Sequence, residues 1–270
     1  MEKQEFVFEI AADSDEDRIW RQNIRPLLKG IAENVIHICH YGFTEMLNNA
    51  IEHSEGKQIH IDVNFTEDTI EIAIRDDGIG IFKKIRDTLN LEDERHAILE
   101  LSKGKLTTDP DRHSGEGIFF TSRMFDIFFI RSLNLKFIHR NNQEYDWLIE
   151  DKAHKAGTVV MLIINKKSQK TLKSVFDTYS DDNFGFTKTH VPVFLAQYGN
   201  DKLISRSQAK RVLARVDRFQ EVLLDFSGVE MIGQAFADQI FRVFRNEHPD
   251  INLVRINTND DVEKMIQRVR

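Results

Sequence analysis

The chain has 270 residues, with 37 basic and 44 acidic side chains and a formal net charge of −7, a balance that argues against nucleic acid as the main partner. No apolar run approaches the roughly 20 residues of a membrane helix, and the start, MEKQEFVFEI, lacks the basic-then-apolar order of a secretory leader. The single Cys39 excludes an internal disulfide framework, so the expectation is a cytoplasmic globular protein with no membrane partner, of a length suited to two domains.

EFVFEIAA alternates and predicts a short strand. DSDEDRIWRQNIRPLLKG predicts a helix opened by acidic residues, with Ile19, Trp20, Ile24 and Leu27 on one side and a kink at Pro26. A second helix is predicted over AENVIHICHYGFTEMLNNAIEHS. KQIHIDVNF and TIEIAIRDD, joined by TED, then alternate as an antiparallel pair. EDERHAILELSKG reads as a helix, KLTTDPDRHSGEG as a polar loop, and IFFTSRMF as the next helix. DIFFIRS, LKFIHR, EYDWLIE and GTVVMLII supply four strand candidates. The first half is therefore α+β, with helices segregated on one face of a mostly antiparallel sheet.

NKKSQKTLKSVFDTYSDDNFGFTKT is weakly periodic and marks the boundary, giving domains over 1–165 and 188–270 with a linker over 166–187. Beyond it strands (THVPVFLAQ, FQEVLLDFSG, INLVRIN) alternate with helices (SRSQAKRVLARV, GQAFADQIFRVFRNEH, DDVEKMIQRV), the pattern of a small α/β layer. Ser205 and Gln208 have the spacing of a capping box.

Three stretches carry chemistry. In GFTEMLNNAIEHSEG, Glu45, Asn49 and His53 recur every fourth residue, so at about 100° per residue they form one polar stripe. Phe43, Leu47, Ala50 and Ile51 fall elsewhere and can face a core. Such a stripe suits a solvated face or a site. In IRDDGIGIF a strand ends in a carboxylate, Asp76, able to accept from an amino group, and Gly78 and Gly80 permit a tight turn. In RHSGEGIFF, Gly115 and Gly117 precede a helix start, whose free amides attract phosphate. It is neither a Walker loop nor a dinucleotide fingerprint. The HICH cluster, His37 to His40, lacks a fourth ligand spaced for a metal.

TEMLNNAIEHS, RDDGIGI, SGEGI and AGTVVMLI, in that order, resemble the boxes of the GHKL nucleotide-binding family, which includes histidine kinases, type II topoisomerases, heat-shock chaperones and anti-sigma factor kinases. The resemblance covers roughly residues 5 to 165. It implies a Bergerat-type α/β sandwich binding ATP and Mg2+, with Asn49 as the magnesium ligand and Glu45 in the place of the carboxylate that, in the ATP-hydrolysing members, positions or deprotonates the attacking water. It further implies that His53 reaches phosphate or ribose, and that Asp76 holds the adenine amino group. Gly78 and Gly80 then shape the adenine pocket, Thr158 supports it, and Gly115 and Gly117 close on the phosphates. Lys105 to Gly117 correspond to the family's lid, with Arg112 and His113 either lid charges or simply residues of a solvated loop. No His-Glu acceptor or dimerisation hairpin precedes the first box, so a self-contained histidine kinase is not expected.

VLLDFSGVEMIGQAFADQIF resembles the strand-to-helix centre of STAS domains, with Asp225, Ser227, Val229 and Ile232 in pattern. Where that family has a phosphorylatable serine the chain reads Gly233, Gln234 and Ala235, leaving Ser227 as the nearest hydroxyl. Together the resemblances imply a bacterial switch, either an ATP hydrolase or a protein serine/threonine kinase, controlling a smaller STAS-like α/β domain or a partner such as a sigma factor. The alternative is a non-catalytic ATP-sensing module that docks a partner. Members of the kinase group also imply a homodimer, with EFVFEI as a candidate edge strand.

Overall fold

The structure, a computed structural model, describes residues 2–11, 14–106, 115–141, 146–197 and 201–269. It contains two compact units, one of residues 1–94 with 107–175, the other of residues 95–106 with 176–270. Residues 95–106 thus group with the C-terminal part of the chain, which a division after residue 165 does not anticipate. Among the described residues no helix is long and apolar enough to cross a membrane.

The first unit opens with β1 (Glu2–Glu9) and α1 (Glu16–Ile19), whose N-cap is the Asp15 carboxylate. Pro26 then tightens the chain into a 3-10 turn over Arg25–Leu28, and it is Leu28 rather than Leu27 that enters the core. Next come α2 (Glu33–His53), β2 (Gln58–Phe65), β3 (Thr69–Asp76) and α3 (Ile81–Leu89). α4 (Glu94–Lys103) passes into the second unit, and α5 (Gly117–Met124), β4 (Ile127–Arg140) and β5 (Trp147–Asn165) complete the first.

Its five strands form an antiparallel sheet in the order β1-β2-β3-β5-β4. Pairing Ile61 with Ile74, and Ile72 with Leu162, puts one apolar row of β2, β3 and β5 on a common buried face. α2 supplies Ile38, Cys39, Phe43, Met46 and Leu47 to the same core. The four strand candidates after residue 126 merge into two long strands. A bulge at Leu133 (φ 55°) bends β4 without ending it, so pairing resumes beyond it.

In the second unit, β6 (Lys188–Pro192), β7 (Glu221–Asp225) and β8 (Asn252–Ile256) form a parallel sheet. α6 (Leu172–Tyr179) leads into this unit from a stretch read as linker, and α7 (Arg206–Leu213) follows β6. α8 (Gln234–Asp238) runs through a π-helical stretch into α9 (Arg245–Glu247), and α10 (Asp260–Arg268) closes the chain. The capping box forms as expected, Ser205 Oγ accepting from the Gln208 N–H at 3.1 Å.

Candidate functional site

Two arms of a candidate site meet at α2. On the first arm, Glu45, Asn49 and His53 line the polar stripe while Met46, Leu47 and Ala50 between them are buried. Close approach of α5 depends on Gly42, where a Cβ would overlap the Phe125 ring. This brings the first residue of α5 onto the stripe, and a Cβ at Gly117 would collide with the Glu45 carboxylate. The positive end of a helix therefore faces an anionic side chain. Tyr41, one turn before Glu45, lies near the same charges; burial first, then Glu45 and Glu116, push its phenol up from the ordinary value.

The second arm is the end of β3. Asp76 Oδ1 accepts from the N–H of Gly78 at 2.9 Å and from that of Thr158 at 3.1 Å. Thr158 Oγ1, buried, accepts in turn from the Ile81 N–H at 3.0 Å, satisfying the first free amide of α3. The Thr158 side chain also stands by this carboxylate and favours its charged form, while no hydrogen bond to Asp76 Oδ2 is made by a described residue. Burial pushes the Asp76 carboxyl up from its usual range, with the Gly78 and Thr158 bonds opposing the rise. Gly80 has φ 90°, and a Cβ there would crowd the Ser132 hydroxyl.

Ser54 joins the arms. Its carbonyl accepts from the Ile79 N–H at 2.9 Å, and a Cβ at Gly78 would overlap that carbonyl. The turn after Asp76 is thus fastened one residue past His53. Asp77 braces it from outside, accepting from the N–H groups of Lys57 at 2.6 Å and Gln58 at 3.0 Å.

Of the residues singled out from sequence, the structure joins Asp76, Gly78 and Thr158 by hydrogen bonds and sets Glu45 against Gly117. Asn49 makes no side-chain hydrogen bond among the described residues, which leaves its amide oxygen able to serve a cation. His53 Nε2 lies 4.0 Å from Glu52. Gly115 stands at φ 71°, and Arg112 and His113 lie outside the described residues. Ser54, Asp77 and Gly157 were missed. Gly157 stands at φ 76°, where a Cβ would strike the Asp76 carbonyl, and its only sequence signal was its place in AGTVVMLI.

The HICH cluster separates in space. His37 is exposed beside Glu33, His40 stacks on Trp20 and approaches Asp17 at 3.0 Å, and burial pushes the Cys39 thiol up to about 12. Among the described residues no group of three or more His, Cys, Asp or Glu side chains could hold a metal. A magnesium ion here would take most of its ligands from phosphate and water, which suits a single neutral protein oxygen at Asn49.

Residues 10–134 match the family model described as a histidine kinase-like ATPase domain, and residues 208–263 match a STAS-like domain of unknown function (DUF4325). No curated protein matches the chain. With one arm of the site on α2 and α5, the other at the end of β3 in the antiparallel sheet, and a small parallel sheet following, the chain carries a GHKL-type histidine kinase-like ATPase domain over residues 10–134 and a STAS-like domain over residues 208–263.

Proposed function

We propose that the first unit binds ATP with magnesium and that the chain is an ATP-dependent regulator, which hydrolyses the nucleotide or passes its γ-phosphoryl group to a protein serine or threonine. The STAS-like domain, or a protein partner such as a sigma factor, is its output. The observation that carries this reading is the Asp76 carboxylate. One oxygen is pinned by two backbone N–H groups, while no described residue bonds the other, so it can accept from the adenine amino group.

Gly78, Gly80 and Thr158 would shape and fix that pocket. Asn49 Oδ1 would hold magnesium, which when bound screens the phosphate charge. Gly115 and Gly117 would offer backbone amides to the phosphates at the start of α5, and His53 would reach phosphate or ribose. Glu45 would accept the proton of the attacking water or hydroxyl as its oxygen bonds the γ-phosphorus and the bond to ADP breaks.

Incubation with magnesium and γ-labelled ATP tests the reading. Label released as phosphate, or carried onto protein, and lost in Glu45→Ala supports it; full magnesium-dependent binding in Asn49→Ala overturns the assigned site. A second reading, ATP as a sensed ligand without turnover, is favoured by one observation. The STAS-like domain has Gly233, Gln234 and Ala235 at the usual acceptor position, and Ser227 is buried. Tight binding with no label transferred supports that reading. A homodimer through the β1 edge, where Val7 is exposed, is expected to give a dimer mass in light scattering.

A further inference from the structure

α4 carries a charged pair where a surface helix would be apolar. Glu100 and Lys103 are each 1% exposed, amid buried Ala97, Ile98, Leu99 and Leu101. The Lys103 ammonium donates to Glu100 Oε1 at 2.7 Å and to the carbonyls of Arg211 at 2.8 Å and Ala214 at 2.9 Å. Those carbonyls belong to the end of α7, where helix geometry leaves acceptor capacity over; the Arg211 carbonyl takes the Ala214 N–H at 3.3 Å and the Lys103 ammonium as well. Lys103 therefore caps a helix that lies more than a hundred residues further along the chain.

The pairing continues on both sides. Burial alone would favour a protonated Glu100, but His96, Lys103 and Arg215 outweigh it and hold the carboxyl below its usual range. The Thr189 hydroxyl donates to the Lys103 carbonyl at 2.6 Å, and Arg215 Nη2 donates to the Lys105 carbonyl at 2.5 Å. Lys105 Nζ donates to the Arg218 carbonyl at 2.9 Å and stands 4.6 Å over the Phe219 ring. All of these partners belong to the second unit. Removing one member of such a pair strands the other charge away from water, so the attachment is specific in register.

We infer that residues 95–106 are a regulatory strap. They lie in sequence between the Asp76–Gly80 turn and the Gly115–Gly117 turn, yet are built into the STAS-like unit, so the state of that unit sets nucleotide affinity. This rests on the ATP-binding reading above. Linkage makes the effect reciprocal: whatever the seated strap does for nucleotide, nucleotide does for the seating of the strap. Releasing it leaves residue 94 in place of residue 106 as the nearest anchored position before Gly117, about twice as far along the chain, and this loss of anchorage is expected to weaken nucleotide roughly threefold.

The test uses the full chain and measures ATP affinity by titration with magnesium alongside amide hydrogen exchange. The expected result is that ATP slows exchange over residues 95–106 and in α7. Lys103→Met is expected to speed exchange there and to weaken ATP about threefold. Thr189→Val, which removes a single bond to the strap, should shift both readouts in the same direction by less, and it serves if Lys103→Met does not fold. Faster exchange over 95–106 with ATP affinity unchanged in both variants overturns the strap and leaves the nucleotide reading standing. Failure of the wild-type chain to bind ATP overturns both.

Discussion

Asp76 and Asp225 end strands of different units and make the same turn. In each, Oδ1 accepts the N–H two residues on, at 2.9 Å from Gly78 and at 2.9 Å from Ser227. They part at the remaining capacity. Asp225 Oδ2 lies 2.8 Å from His190 Nε2, and Asn257 Nδ2 donates to Oδ1 at 3.0 Å, whereas Asp76 Oδ2 has no partner among the described residues. Burial opposes ionisation of both. At Asp225 the His190, Ser227 and Asn257 bonds win and hold the carboxyl down at about 2; at Asp76 burial wins and the carboxyl rises. One local motif therefore serves as a filled brace in one sheet and as an open acceptor in the other, and the second oxygen distinguishes them.

The comparison breaks most readily at Asp76→Asn. This change should weaken ATP binding roughly a hundredfold, by loss of a charged acceptor and by offering donors where one is needed, with little change in thermal midpoint. Asp225→Asn should do the reverse, leaving ATP affinity intact and destabilising the second unit by about 2 kcal/mol. In the wild-type chain that contribution depends on pH with a definite sign. The folded pKa lies below the ordinary value of 3.8, so the stabilisation is present above pH ~4. About 2 kcal/mol is lost as pH falls toward ~2. Denaturant midpoints measured on the second unit across this range, in the wild type and in Asp225→Asn, check both size and sign.

Gly117→Ala sharpens the comparison on the other arm. The added methyl must displace the Glu45 carboxylate, and turnover should fall about tenfold while ATP affinity changes less. Measurement of kcat and Kd separates the two effects. The smallest effect is expected at Ser205→Ala, which removes a capping box remote from either carboxylate and should cost about 1 kcal/mol in the second unit.

What the sequence revealed follows the range of the interactions. β2 and β3 alternate, and the α2 stripe repeats every fourth residue, so local pattern sufficed to find the elements on which the candidate site is built. α3 escaped notice because its N-cap is Gly80, which offers no side-chain cap, and its first amide is satisfied by Thr158, far along the chain. β4 reads as two strands because the residues flanking Leu133 look like a break, and β5 because DKAHKA interrupts its apolar pattern; only the pairing between them carries each across. The place of α4 was illegible for a sharper reason. Glu100 and Lys103 read as solvent-facing charges, and the groups that bury them, at Thr189, Arg211, Ala214 and Arg215, are far away in sequence. His190 and Asp225 likewise leave no local trace of their contact.

The membership of residues 95–106 in the second unit also bears on how such a chain can be rearranged. End-to-end cassettes can be shuffled by one crossover, because each carries everything its own core requires. Here a crossover near residue 175 would move β6 to β8 without the helix whose lysine ends α7. The recipient would inherit uncapped carbonyls and an empty berth. The two modules can therefore be traded between proteins only as a pair, or together with compensating changes around the berth.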